Sequence, residues 1–106
     1  LLPLELFDCA VDNLLQNAWV KRQLDPAVSV HIELSVLDGV QLSVTDTGAA
    51  VEPSIAERLL VEPVESRNGL GVGLYQAARL ALEHGFELQL SSNQAGAVRF
   101  TLKPAR

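Results

Sequence analysis

Apolar residues recur along this chain with two different periods. From Pro3 to about Gln23, Leu4, Phe7, Val11, Leu14, Leu15 and Ala18 return at helical spacing and predict one apolar helix face. Asp25-Pro26 ends that pattern, because the residue before a proline is pushed out of helical geometry. Strict alternation follows. Val28, Val30, Ile32, Leu34 and Val36 fall on one side and Ser29, His31, Glu33 and Ser35 on the other, which predicts a half-buried strand. Asp38-Gly39 predicts a two-residue hairpin turn, and Val40, Leu42 and Val44 a returning strand. Pro53 to about Leu60 reads as a short helix with Ile55, Leu59 and Leu60 turned inward, and residues 61–68 show no clear period. Leu70 to His84 predicts a helix closed by Gly85, a residue suited to a left-handed cap. Phe86, Leu88 and Leu90, then Val98, Phe100 and Leu102, alternate as a final pair of strands around a turn from Asn93 to Gly96. This order predicts an α+β fold: a two-layer sandwich with a mixed, mostly antiparallel sheet covered on one face by about three helices.

Composition narrows the class. At 106 residues the chain is one small domain, and with 48% apolar residues it is not a disordered segment. No apolar run is long enough to span a bilayer, so direct membrane contact is not expected. The first residue is Leu, so a fragment of a longer protein is expected. A net charge of -5 argues against nucleic acid as a partner. The single Cys9 fits a reducing compartment and hence a cytoplasmic domain, with any inner-membrane anchor of the parent lying elsewhere.

Three short segments carry candidate chemistry. Asn13 and Asn17 lie four apart on the opening helix, so their amides share one side at the rim of the apolar stripe. An amide oxygen is a hard ligand of the kind Mg²⁺ accepts while keeping several waters; the alternative is a pair of surface polar groups. Asp46 continues the inward series Val40, Leu42, Val44, so its carboxylate points to the covered face, where it needs donors such as the exocyclic amine of a base. The alternative for Asp46-Thr47-Gly48 is a plain Asx-type turn. Gly69-Leu70-Gly71-Val72-Gly73-Leu74 opens a helix, and glycines before free N–H groups let a phosphate approach. Its G-x-G-x-G spacing after a loop is neither the dinucleotide fingerprint nor a phosphate loop of the GxxxxGK[ST] type.

Together and in this order, the segments resemble the ATP-binding catalytic domain of sensor histidine kinases, in the superfamily shared with DNA gyrase and the heat-shock chaperone ATPases, whose fold is of the Bergerat type. Asn13-Leu14-Leu15-Gln16-Asn17-Ala18 is similar to the N box, Asp46-Thr47-Gly48 to the G1 box, and Gly69 to Leu74 to the G2 box. Gly96-Ala97-Val98-Arg99-Phe100 resembles the family's last strand. The resemblance implies that Asn17 holds Mg²⁺ on the ATP phosphates, that Asp46 accepts a hydrogen bond from the adenine amine, and that Gly69, Gly71 and Gly73 let a lid fold over the triphosphate, with Gly48, Leu70, Val72 and Leu74 also expected to bind ATP. It also implies that the loop between the G1 and G2 boxes is that lid, with Glu62-Pro63 similar to the family's Glu-Pro; Arg67 is the candidate lid cation for a phosphate, and the alternative is an exposed, solvated arginine. Asn13 stands where the gyrase-like ATPases carry a water-activating glutamate. An amide takes up no proton at neutral pH, which favours transfer to a side chain over hydrolysis.

The chain departs from the pattern at Val20, where many members have Lys, at Ala50 in place of a second G1 glycine, and at Val64-Glu65 in place of lid aromatics. Lys21, four residues past Asn17, is the expected substitute for the missing lysine and, with Asn13, the expected catalytic pair. Neither His31 nor His84 has the following acidic residue and helical context of the family's acceptor motif, so the acceptor histidine is expected upstream, in a helical domain outside the chain. The expected partners are ATP, that helical domain and, through it, a response regulator. The isolated domain is expected to be monomeric and unable to autophosphorylate, the full protein a homodimer in a two-component phosphorelay. The alternatives are a degenerate interaction module of the same fold and an anti-sigma-type serine kinase.

Overall fold

The structure, a computed structural model, describes residues 3–36, 39–62 and 70–105, with only the backbone course given for 70–72. Its elements are α1 (Leu4–Leu24), β1 (Val30–Ser35), β2 (Gln41–Asp46), α2 (Pro53–Ala56), α3 (Leu70–Glu83), β3 (Phe86–Gln94) and β4 (Ala97–Pro104). The strands form one sheet in the order β1-β2-β4-β3, and every pairing among the described residues is antiparallel. The helices make the second layer, so the expected α+β sandwich is what the chain forms. No helix among the described residues is long and apolar enough to cross a membrane.

The buried row of α1 is Leu6, Ala10, Leu14 and Ala18, a strict four-residue repeat. Leu14 and Ala18 of the face expected from sequence are in that row; Phe7 and Val11 lie beside it and pack partly against the core, whereas Leu4 is 67% exposed. Small residues set the seam because α3 packs here with Ala77, Ala78 and Ala81, and alanines let two helices approach closely. The two helices run antiparallel. Phe7 meets Phe86, just past the end of α3, edge to face at 5.7 Å, while Asn13, further along α1, meets Gly73 at the start of α3.

Four expectations are corrected. First, α2 stops at Ala56 and continues as turns, although Ile55, Leu59 and Leu60 do pack on the core. Second, β1 is an edge strand lying beyond α1. Its apolar side is covered only near Val28 and Val30, and Leu34 is 60% exposed. Third, the first hairpin's ladder ends at Ser35 opposite Gln41, so the connection is longer than a two-residue turn; Gly39 has φ +96°, and Asp38 lies outside the described residues. Fourth, the last turn is Ala95-Gly96, with φ +87° at Gly96, and Asn93 belongs to β3.

That last difference matters for the site. Leu88 pairs with Leu102 and Leu90 with Phe100, so these residues face the helices. A bulge between Leu90 and Ser92 then shifts the register, and Asn93 pairs with Val98. One extra residue reverses the facing of everything after it. Val98 is fully buried and pairs on its other side with Asp46. Asn93 and Asp46 therefore stand in one cross-strand row on the covered face.

Candidate functional site

Asp46 ends β2 on the covered face with 3% exposure, as its parity predicted. Its carboxylate is not left waiting for a ligand. Lys21 Nζ donates to both oxygens, at 3.0 and 3.1 Å, and the Gly48 N–H donates to Oδ1 at 2.8 Å. The two side chains are 17% and 4% exposed, so this ion pair is largely shielded from water. Gly48 makes it possible: a Cβ there would lie 2.8 Å from Lys21 Cδ and 3.0 Å from Asp46 Oδ1. The sequence places Lys21 on the Asn13/Asn17 side of the helix as a phosphate-side cation; the structure draws it to Asp46. The reason is the charge it finds there, since a buried carboxylate without a partner is strongly unfavourable.

Asn13 and Asn17 share the side of α1 that turns toward the start of α3. Asn13 Nδ2 donates to the Cys9 carbonyl at 2.8 Å, a bond back along the helix that fixes the amide. Its Oδ1 then lies against Gly73, where a Cβ would collide with it. Asn17 is half-buried, and no hydrogen bond among the described residues engages its amide. Two segments far apart in sequence, the amide pair and the glycine-rich turn, thus meet across one helix crossing. α3 begins at Leu70, so the N–H groups of its first turn, at 70–73, have no partner within the helix.

Of the remaining expected residues, Gly71 and Val72 belong to that first turn, their side chains undescribed. Gly69 and Arg67, together with most of the expected lid including Pro63, lie outside the described residues. Leu74 sends its side chain into the core at 2% exposure, so any part it plays toward a ligand is through its backbone. Among the described residues no group of His, Cys, Asp and Glu side chains is arranged to hold a metal.

Sequence reasoning missed Asn93. Its Oδ1 accepts from the Val51 N–H and its Nδ2 donates to the Val51 carbonyl, both at 2.8 Å. The Gly96 N–H donates to the Gly48 carbonyl at 2.9 Å, and Thr47 is tied to Ser29 through its backbone N–H and its Oγ1. The loop after Asp46 is thereby anchored to β3, to the last turn and to the chain entering β1. The Gly96-Ala97 signal was visible in the sequence; the bulge that turns Asn93 inward was not.

Comparison with known proteins agrees with this arrangement. The family described as histidine kinase-, DNA gyrase B-, and HSP90-like ATPase matches residues 5–106. Among solved structures, a mycobacterial sensor histidine kinase, MprB, has a TM-score of 0.69 at 24% identity, over 92% of this chain and 71% of that one. Full-length ShkA, solved with AMPPNP, has a TM-score of 0.68 at 26% identity, over 91% of this chain and 21% of that one. The histidine kinase domain of the blue-light activated kinase EL346 of Erythrobacter litoralis has a TM-score of 0.65 at 20% identity, over 93% of this chain and 45% of that one. These likenesses establish the shared fold, and the chain spans about a fifth of ShkA and somewhat less than half of the EL346 chain. No curated protein matches the sequence. With its amides, aspartate and glycine-rich turn in the family's order and the family pattern running over nearly its whole length, the chain belongs to the histidine kinase-, DNA gyrase B- and HSP90-like ATPase family.

Proposed function

We propose that this chain is the ATP-binding catalytic domain of a sensor histidine kinase, spanning 1–106, which binds ATP with Mg²⁺ and passes the γ-phosphoryl group to a histidine in another part of a longer protein. In that step the bond from the γ-phosphorus to the bridging oxygen breaks, a bond to an imidazole nitrogen forms, and ADP leaves. Catalysis of this kind rests on positioning and charge neutralisation. Asn17 is the residue to hold Mg²⁺, which would offset the phosphate charge. The N–H groups opening α3 are directed at the phosphates, and Asp46 and Gly48 at the adenine.

The observation that carries the reading is the contact of Asn13 with Gly73. It sets Asn13 of the amide pair against the glycine-rich helix start, about two helical turns along α1 from Lys21 and its partner Asp46, a separation that suits phosphates at one end and a base at the other. Asn13 also supports transfer over hydrolysis, because its amide is bonded to the Cys9 carbonyl and offers no base to a water molecule. The solved ShkA complex contains AMPPNP, an ATP analogue bound by a protein of similar fold.

A calorimetric titration of ATP into the chain, with and without Mg²⁺, tests the proposal. Binding that strengthens with Mg²⁺ is expected. A folded chain that takes up no nucleotide favours the degenerate interaction module instead, with the Lys21–Asp46 ion pair serving as a structural link between α1 and β2.

A further inference from the structure

We infer that Lys21 is a specificity-determining residue at the base end of the site, where it and Asp46 together present a hydrogen-bond donor beside an acceptor. The inference rests on the nucleotide-binding reading above and goes beyond it in assigning Lys21 away from the phosphates. Lys21 Nζ lies at 3.0 and 3.1 Å from the two Asp46 oxygens. Its stem crosses Gly48, as the 2.8 Å and 3.4 Å approaches of Cδ and Cβ to an ideal Cβ there require.

Hydrogen-bond capacity shows what this pair has left over. A carboxylate has about four acceptor positions. Among the described residues, Oδ1 accepts from Lys21 and from the Gly48 N–H, whereas Oδ2 accepts from Lys21 alone, which leaves one position on Oδ2 open. An ammonium has three N–H groups, and two are given to Asp46. One donor remains on Lys21. A base amine can therefore join Asp46 without evicting Lys21, and the lysine can donate to the atom next to that amine.

Adenine satisfies such a pair with its exocyclic N–H as donor and the adjacent ring nitrogen as acceptor. Guanine satisfies it with its ring N–H as donor and the adjacent carbonyl oxygen as acceptor. A lone aspartate would face that carbonyl with a second acceptor and reject it. Lys21 removes this penalty and narrows the gap between adenine and guanine nucleotides.

The test measures ATP, GTP and adenosine binding to the chain and to Lys21→Met, by calorimetry for the nucleotides and by NMR for the nucleoside. ATP and GTP are expected within about tenfold of each other in the unaltered chain. The variant is expected to widen that gap by about tenfold more, the value of one charged hydrogen bond, and to change adenosine and ATP affinity by the same factor. Because the variant strands a buried carboxylate, a second measurement uses the unaltered chain: adenosine alone is expected to shift the side-chain NMR signals of Lys21. If Lys21→Met weakens ATP and leaves adenosine unchanged, or if inorganic triphosphate and not adenosine moves the Lys21 signals, the lysine serves the phosphates and the inference is wrong. If the folded, unaltered chain binds neither nucleotide, the nucleotide-binding reading itself fails and takes this one with it.

Discussion

Asn93 holds the backbone of Val51 by both of its polar groups, accepting from the N–H and donating to the carbonyl, each at 2.8 Å. This double bond to one residue fixes the loop that follows Asp46. Asn93→Ala removes both partners and leaves part-buried peptide groups unpaired, which costs about 1–3 kcal/mol. Chemical denaturation is expected to show that loss, and hydrogen exchange is expected to speed up at the Val51 amide. Unchanged exchange there would mean that the loop is held by other contacts. Asn93→Asp retains the acceptor but sets a second carboxylate oxygen against the Val51 carbonyl, so it is not expected to restore the lost stability.

Gly73→Ala separates stability from binding. The new methyl group collides with Asn13 Oδ1, the far end of a side chain that can rotate away. Rotation breaks the bond to the Cys9 carbonyl, at a cost of about 1 kcal/mol. Alanine gains up to about 1 kcal/mol over glycine in a helix. The melting temperature is therefore expected to stay near that of the parent chain, while Mg²⁺-ATP affinity falls as the amide leaves its place. A variant that binds as before would show that Asn13 has no part in the nucleotide site.

Breaking the Lys21–Asp46 pair on one side only is expected to be worse than replacing both members. Lys21→Met strands a carboxylate that is 4% exposed, and loss of one partner from a buried pair costs about 3–5 kcal/mol. The double variant Lys21→Met/Asp46→Asn removes the stranded charge, and denaturation should find it more stable than Lys21→Met alone. Additive losses would show that the pair is weaker in solution than its geometry implies.

Asn17→Ala is expected to change stability by no more than about 0.5 kcal/mol, because no bond among the described residues is lost with the amide. Its effect should fall on the metal-dependent part of ATP binding. Calorimetry with and without Mg²⁺ reads this directly, and a full Mg²⁺ increment in the variant would remove Asn17 from the metal site.

The periodic signals in the chain were enough to place every element, because burial of one face repeats at the helical or strand period. Asp46 was legible for the same reason: it extends an inward series at a strand end. What stayed hidden depends on partners or on register. Lys21 reads from sequence as a neighbour of Asn17; only the returning strand reveals that Asp46 lies within its reach. Asn93 reads as a turn residue because parity counted from Leu88 and Leu90 puts it on the polar face, and the bulge that reverses the count has no local composition to announce it. The open side of β1 was hidden as well. Alternation in Ile32, Leu34 and Val36 shows that a face is apolar but not whether a helix reaches far enough to cover it.

The sheet order β1-β2-β4-β3 makes the last strand in the chain an interior one. As the polypeptide leaves the ribosome from its N-terminus, both amides, the aspartate and the glycine-rich helix emerge before it. Asp46 cannot be enclosed, because β2 has no neighbour on its inner side until β4 arrives to pair Val98 with Asp46. Native pairing of β4 with β2 closes a long stretch of chain, which slows folding of local hairpins into a whole. The nascent chain thus carries Asp46 for some time without the strand that encloses it, and the sheet interior waits for residues 97–104.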